Sequence, residues 1–264
     1  MRFIDAHLHT NLLDDGKLQG LAAAGMQAVV IPMLHTIPGM FEADATIRLW
    51  DQFLGFEVKR GGTIGYQAFA SLSVPMYGMS PRANAECLKK LEEYAKHESV
   101  VAIGEIGLDA GIEPEKDLLR AQLQIAKANN LPVIMHTPIR LAPHGPEVTR
   151  KIVKIIEEEK FDISRVILDH SGESTFDYRM GTGAMVGLSV CMDKMPPEVA
   201  AKYVADNPSK RDRLIVNTEA ATGDGYFTMP MVSLMMKRLG MKHKEIEAVL
   251  YENPKRFFIL PMED

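Results

Sequence analysis

The chain of 264 residues is poor in cysteine, with only Cys87 and Cys191. Two thiols cannot make a disulfide framework, so a scaffold stapled by bridges is excluded and a reducing compartment fits. It has no open Asn-x-Ser/Thr acceptor, since Asn207-Pro208-Ser209 is blocked by its proline. Apolar runs stay strand-sized, as in Ala28 to Leu34, which excludes membrane-spanning helices. The opening Met-Arg-Phe-Ile-Asp-Ala-His has no apolar leader segment, and a cytoplasmic protein is expected. Positive charge is not in excess. Lys+Arg is 30 against 35 Asp+Glu, a net charge of −5, so the global footprint of a nucleic-acid binder is missing. A Walker-type segment and a Gly-rich loop after the first strand are also missing. Gly181-Thr-Gly183-Ala-Met-Val-Gly187 has the wrong spacing for a dinucleotide fingerprint and precedes a strand.

What is present is ordinary globular composition, 46% apolar and 25% charged. Short apolar or β-branched runs recur over Phe3–His9, Ala28–Leu34, Gly65–Leu72, Val100–Leu108, Leu131–Thr137, Arg165–Ser171, Met185–Val190 and Leu214–Ala220. They start 20 to 37 residues apart, close to the ~30 residues of a βαβ unit. Helical periodicity falls between them, at Glu42–Val58, Ala85–His97, Lys116–Asn130, Glu147–Lys160 and Met231–Leu239. Pro81, Pro114, Pro146, Pro197, Pro230 and Pro254 suit first helical positions, where a missing N–H is harmless. Eight such periods consume the chain, so one (β/α)₈ TIM barrel domain over residues 1–264 is predicted.

Six of the eight histidines fall at or beyond strand C-termini, where barrel sites form: His7, His9, His35, His136, His144 and His170. Alternation in the first strand puts Asp5, His7 and His9 on one face, into the barrel, and Ile4, Ala6 and Leu8 on the other. A His-x-His pair can chelate an ion or simply be satisfied within a core. Glu105 lies in an apolar strand flanked by Gly104 and Gly107, where an unpaired carboxylate is costly. It is either a buried ion pair or a bridge between cations. His136 and His170 each terminate an apolar run, and with His7, His9 and Glu105 nearby in barrel order a metal site is the stronger reading. Glu219 closes the eighth run next to the first strand, where it could ligate an ion and act as a base. Asp169, of opposite parity to His170, is expected to face the helix layer. Asp109 reads as an orienting or loop-capping residue.

These residues, in this order, resemble the TatD-like metal-dependent hydrolases. The likeness rests on Asp5-Ala-His7-Leu-His9, Ile103-Gly-Glu105-Ile-Gly-Leu-Asp109, His136, His170-Ser-Gly, Asn217-Thr-Glu219 and a terminal Glu-Asn-Pro-Lys-Arg-Phe-Phe segment. It implies two divalent ions. One would be held by His7, His9, Glu105 and the strand 8 carboxylate, the other by Glu105, His136 and His170, with Glu105 bridging. It also implies hydrolysis by metal-activated water, as in DNA phosphodiester cleavage. The chain departs from the family pattern in having Asn217-Thr-Glu219 where Glu-Thr-Asp is usual, and Asp-His-Ser-Gly after strand 6.

Four imidazoles and two carboxylates favour Zn, Mn, Co or Ni over Mg, with zinc first. Arg140, Arg179 and Lys194 follow strands 5, 6 and 7 and could hold a phosphate or carboxylate at the mouth, or be solvated surface charges. His35 and His144 are candidates for the same rim. Tyr77, Phe176, Tyr178, Tyr226 and Phe227 could stack bases, close a small-molecule pocket or pack loops. The expected function is a DNase-like phosphodiesterase acting on a small phosphodiester or nucleic acid. The alternatives are a hydrolase of a small amide, ester or lactone, and a non-catalytic metal-binding barrel. No membrane and no obligate protein partner is expected.

Overall fold

Prolines open several of the helices. In the computed structural model, Ser80 caps a helix whose first residue is Pro81, its hydroxyl accepting from Ala83 N at 3.2 Å. The structure describes residues 1–34, 42–76, 79–138, 142–191, 194–220 and 227–262. Along the chain the elements are β1 (Phe3–Asp5), α1 (Asp15–Ala23), β2 (Met26–Pro32), α2 (Ala43–Gln52), α3 (Val58–Ile64), β3 (Gln67–Leu72), α4 (Pro81–Tyr94), β4 (Val100–Gly107), α5 (Glu113–Ala128), β5 (Val133–His136), α6 (Gly145–Glu158), β6 (Val166–Leu168), α7 (Phe176–Thr182), β7 (Met185–Ser189), α8 (Pro197–Asp206), β8 (Leu214–Asn217), α9 (Thr228–Arg238), α10 (His243–Glu247) and α11 (Asn253–Phe258).

The strands form one parallel sheet in sequence order, β1 to β8. The two edges meet beyond the strands proper. Glu219 N donates to His7 O at 2.8 Å, and His9 N donates to Ala220 O at 3.3 Å. The result is the nearly closed TIM barrel expected from the βα period. A large apolar cluster fills the space between sheet and helices, joining Leu18, Leu91, Leu123 and Ile152 to Val29, Val133 and Val216. A smaller one occupies the barrel itself, with Ile4, Val30, Phe69, Ile134, Ile167, Met185 and Ile215. Tyr251, Phe258 and Leu260 pack onto this inner cluster from the C-terminal segment. No helix among the described residues is long and apolar enough to cross a membrane.

All eight predicted strands occur, but β1, β6 and β8 stop three or four residues short of their predicted ends. The ladder gives way where side chains must converge. His170 and Glu219 have φ of 59° and 46°, left-handed values a continuing strand does not allow. The alternation predicted for the first strand also fails. Ile4 and Ala6 lie in the inner cluster and Leu8 in the outer, so the chain turns after Asp5 to bring His7 inward. The helix predicted over 42–58 runs on to Ile64 through a π turn at Phe53–Glu57. Pro230 is the third residue of α9, not its first. Pro254 lies within a continuous run from α10 to α11, just after a π turn at Ala248–Glu252. The unpredicted α1 has Gly16 and Gly20 within it, which blur its periodicity.

Candidate metal centre

Glu105 reaches the centre through a shift in the β4–β5 pairing. Gly104 faces Ile134 and Ile106 faces Met135, so Glu105 is the extra residue of a bulge. Its glycine neighbours permit close approach of β5. A Cβ on Gly107 would fall 2.1 Å from His136 O, and one on Gly104 would fall 2.7 Å from Ile134 Cβ. His136 ends β5, His170 follows β6, and the bonds that close the barrel set Glu219 beside His7.

Six side chains converge. His7 Nε2 lies 3.3 Å from His9 Nε2 and 3.6 Å from Glu105 Oε2. Glu105 Oε1 accepts from His136 Nδ1 at 2.9 Å and lies 3.2 Å from His170 Nε2. Glu219 Oε2 is 3.0 Å from His170 Nε2. Three ligand sets each have their donor atoms within 4.8 Å of one another: His7–His9–Glu105, Glu105–His136–His170 and His7–His170–Glu219. Glu105 is common to the first two sets, and Glu219 takes one histidine from each of them.

Burial and neighbouring charge set the protonation of these groups. Burial alone would raise Glu105, but the imidazoles of His7, His136 and His170 hold it well below the usual carboxylate range. Burial lowers His9 to about 3, and the neighbouring His7 adds to the effect. His170 is also held well below its ordinary value, by burial and then by Lys194. His136 is raised, because the Asp109 and Glu105 carboxylates outweigh its burial. Neutral imidazoles and ionised carboxylates are the forms that bind metals. Among the described residues His170 Nε2 and Glu219 Oε2 are buried without a hydrogen-bond partner and face each other without hydrogen-bond alignment. Unpaired donor atoms on a mixed nitrogen and oxygen set fit a divalent cation.

The family model described as TatD related DNase matches residues 4–259. A metal-dependent hydrolase of Methanocaldococcus jannaschii is 34% identical over 258 residues, covering 97% of this chain and 100% of that one. The chain belongs to the TatD-related family of metal-dependent hydrolases. Among solved structures, the TatD-like protein of Archaeoglobus fulgidus superposes with a TM-score of 0.76 at 25% identity, covering 98% of this chain and 100% of that one. The phosphotriesterase homology protein of Escherichia coli, solved with phosphate in its active site, gives 0.73 at 16% identity, covering 97% and 98%. That second likeness is one of fold.

Around this TatD-type centre the remaining candidates divide. Lys194 is ion-paired with Glu219 Oε1 and is mostly buried, closer to the centre than a rim cation would be. Arg179 is not at the mouth. It lies in α7 with no exposure, and its guanidinium donates to Leu168 O, Asp169 O and Thr137 Oγ1 at 3.2, 2.5 and 2.5 Å. α7 presents this face to the ends of β5 and β6, so a cation near them in sequence becomes a backbone clamp. His144 is exposed just before α6 and donates from Nε2 to Asp109 O at 3.1 Å. His35, Tyr77, Arg140 and Tyr226 lie outside the described residues. Phe176 is buried, stacked on Tyr203 at 4.1 Å between ring centroids, which is packing between helices.

Asp169 does not face the helix layer. Its Oδ2 accepts from His7 Nδ1 at 2.7 Å, and its Oδ1 accepts from Asn217 Nδ2 at 2.8 Å and Ser189 Oγ at 3.2 Å. It shares inward parity with Ile167, and the left-handed turn at His170 lets both residues point inward. Burial opposes its ionisation, yet the His7 hydrogen bond and charge outweigh it and hold the acid well below its ordinary value. Asp5 takes no place among the ligand sets. It accepts from Thr218 Oγ1 at 2.5 Å and from the backbone N–H groups of Thr218 and His7, and burial raises it to about 6. The cap of the loop after β4 is Glu115, not Asp109, accepting from the N–H groups of Asp109, Ala110 and Gly111. Asn217 was legible only as a departure from the family pattern, and Ser189 carried no signal in the sequence.

Proposed function

We propose that the chain hydrolyses phosphodiesters, as a DNase-like enzyme of the TatD-related family, with two divalent cations. The observation that carries this reading is Glu105, common to two ligand sets and so able to bridge a pair of ions. One cation would be held by His7, His9 and Glu105, the other by Glu105, His136 and His170. Zinc suits the four imidazoles best, and Mn, Co, Ni or Mg are alternatives. When bound, such a pair supplies Lewis acidity and acidifies water.

The protein's own groups supply the rest. Glu219 is placed to accept a proton at Oε2, which lacks a hydrogen-bond partner. Lys194 beside it brings positive charge to the centre itself, as an anionic substrate oxygen requires. That charge favours a phosphodiester over a neutral amide, ester or lactone, and a cytoplasmic site of action fits the free cysteines.

Protein purified without chelator would contain about two transition-metal ions per chain. Metal-replete protein would cleave single-stranded DNA and bis-p-nitrophenyl phosphate faster than a panel of esters, amides and lactones. Preference for the neutral panel would replace this reading with the small-molecule one. Metal without turnover of either would leave a binding protein.

A further inference from the structure

The geometry points to Asp169 as the positioning residue of the metal centre: its carboxylate fixes the tautomer and ring plane of His7, turning Nε2 toward the ligand set. This inference rests on the reading of His7 as a metal ligand. Asp169 and His7 are both buried with no exposure, and their contact at 2.7 Å uses His7 Nδ1. A carboxylate can only accept, so Nδ1 carries a proton, and in the neutral ring Nε2 keeps its lone pair. Nε2 is the atom that faces His9 and Glu105.

The carboxylate is itself held from several sides. Asn217 from β8 and Ser189 from β7 both donate to Oδ1, leaving Oδ2 to His7. Behind it, Gly187 provides the clearance, since a Cβ there would lie 1.9 Å from Oδ1. Arg179 fixes the same residue through its backbone, donating to Asp169 O at 2.5 Å. A salt bridge kept only for stability needs no such alignment of its far oxygen. Side chains of β7 and β8 restrain this carboxylate and α7 restrains its backbone, and its direction decides where His7 points. His170 is oriented by a weaker version of the same device, Nδ1 donating to Thr137 O at 2.9 Å. A charged acceptor does more, since it also makes the far nitrogen a stronger donor to metal.

Asn217 is part of the argument because an amide can donate where a carboxylate cannot. Asn217→Asp preserves shape but sets a second carboxylate 2.8 Å from Oδ1. Two like charges there would drive Asp169 off His7 or protonate one of the pair.

The test has two arms. In the first, long-range ¹⁵N–¹H correlation spectra of the wild-type protein, metal-free and zinc-loaded, report the tautomer of His7. The expected result is a proton on Nδ1 in both states, and a metal-free ring protonated on Nε2 with Nδ1 bare overturns the proposal. In the second, zinc is titrated against a chromogenic chelator in wild type, Asp169→Asn, Asn217→Asp and Glu105→Gln. Asp169→Asn and Asn217→Asp are each expected to weaken metal binding by about 10–100-fold. Unchanged affinity in both, with wild-type binding intact, overturns the role of Asp169 alone. If wild type and Glu105→Gln both fail to retain zinc, the metal-centre reading itself has failed. The tautomer measurement needs no variant, so it decides even if Asp169→Asn does not fold.

Discussion

Lys194 and Glu219 form an ion pair in which the ammonium takes one carboxylate oxygen and leaves the other 3.0 Å from His170 Nε2. The lysine thereby orients the strand 8 acid and brings positive charge to the ligand set. Lys194→Met should lower turnover of bis-p-nitrophenyl phosphate by about 10–100-fold. A neutral p-nitrophenyl ester should be affected much less. Equal loss on both substrates would assign Lys194 to Glu219 orientation alone.

Glu105→Gln keeps shape but removes the charge shared by two ligand sets. Metal content should fall from about two ions per chain to one or none. Metal analysis after dialysis reads this directly, and retention of two ions would rule out a bridge.

The six converging side chains were legible because each sits near or just beyond the C-terminal end of a strand, and a barrel collects those ends at one mouth. Glu105 stood out as a charge inside an apolar run, and its glycines foretold the close approach of β5. Alternation misled at Asp169 because it describes a strand, and β6 ends one residue earlier, at Leu168. The left-handed residue that follows puts neighbours of opposite parity on the same side. Arg179 misled for another reason: sequence placed it after β6 but could not say which face of α7 turns inward. Asn217 and Ser189 matter only through Asp169, so nothing in their own surroundings marked them.

Arg179→Met would remove the guanidinium from Leu168 O and Thr137 Oγ1 and leave Asp169 O to the Thr137 hydroxyl alone. Each buried acceptor left unpaired costs about 1–3 kcal/mol. Thermal denaturation should show Tm lowered by on the order of 10 °C. A Tm within a degree or two of wild type would show that water replaces the guanidinium there.

Gly187→Ala adds one methyl group beside Asp169 Oδ1. Overpacking of this kind costs about 1–3 kcal/mol in stability. Weaker zinc binding should accompany it, because the displaced carboxylate releases His7. Denaturant unfolding and zinc titration on the same preparation separate the two effects, and loss of stability with full affinity would confine the methyl group to packing.

Acid should destabilise the metal-stripped protein through His9. Its imidazole is lowered to about 3 when folded, against about 6.5 in an unfolded chain. The unfolded chain therefore takes up a proton that the folded one refuses. The stability contributed by neutral His9 is complete above pH 6.5 and is lost as pH falls toward 3, at up to about 1.4 kcal/mol per pH unit. Asp5, raised to about 6, acts in the opposite sense, favouring the folded state at low pH and losing that contribution as pH rises through 6. The difference between wild type and His9→Gln isolates the histidine. Urea unfolding at several pH values should show that difference shrinking as pH drops from 6.5 to 3, and a constant difference would place His9 in water.

Tyr251, Phe258 and Leu260 pack onto the inner cluster that Ile4 begins. During translation the first strand leaves the ribosome some 250 residues ahead of the side chains that finish its interior. The ring joins only once β8 has emerged, and its inner cluster is complete only when residue 260 has followed. Nascent chains short of that point carry an open sheet edge and an uncovered apolar interior, the kind of surface that chaperones recognise.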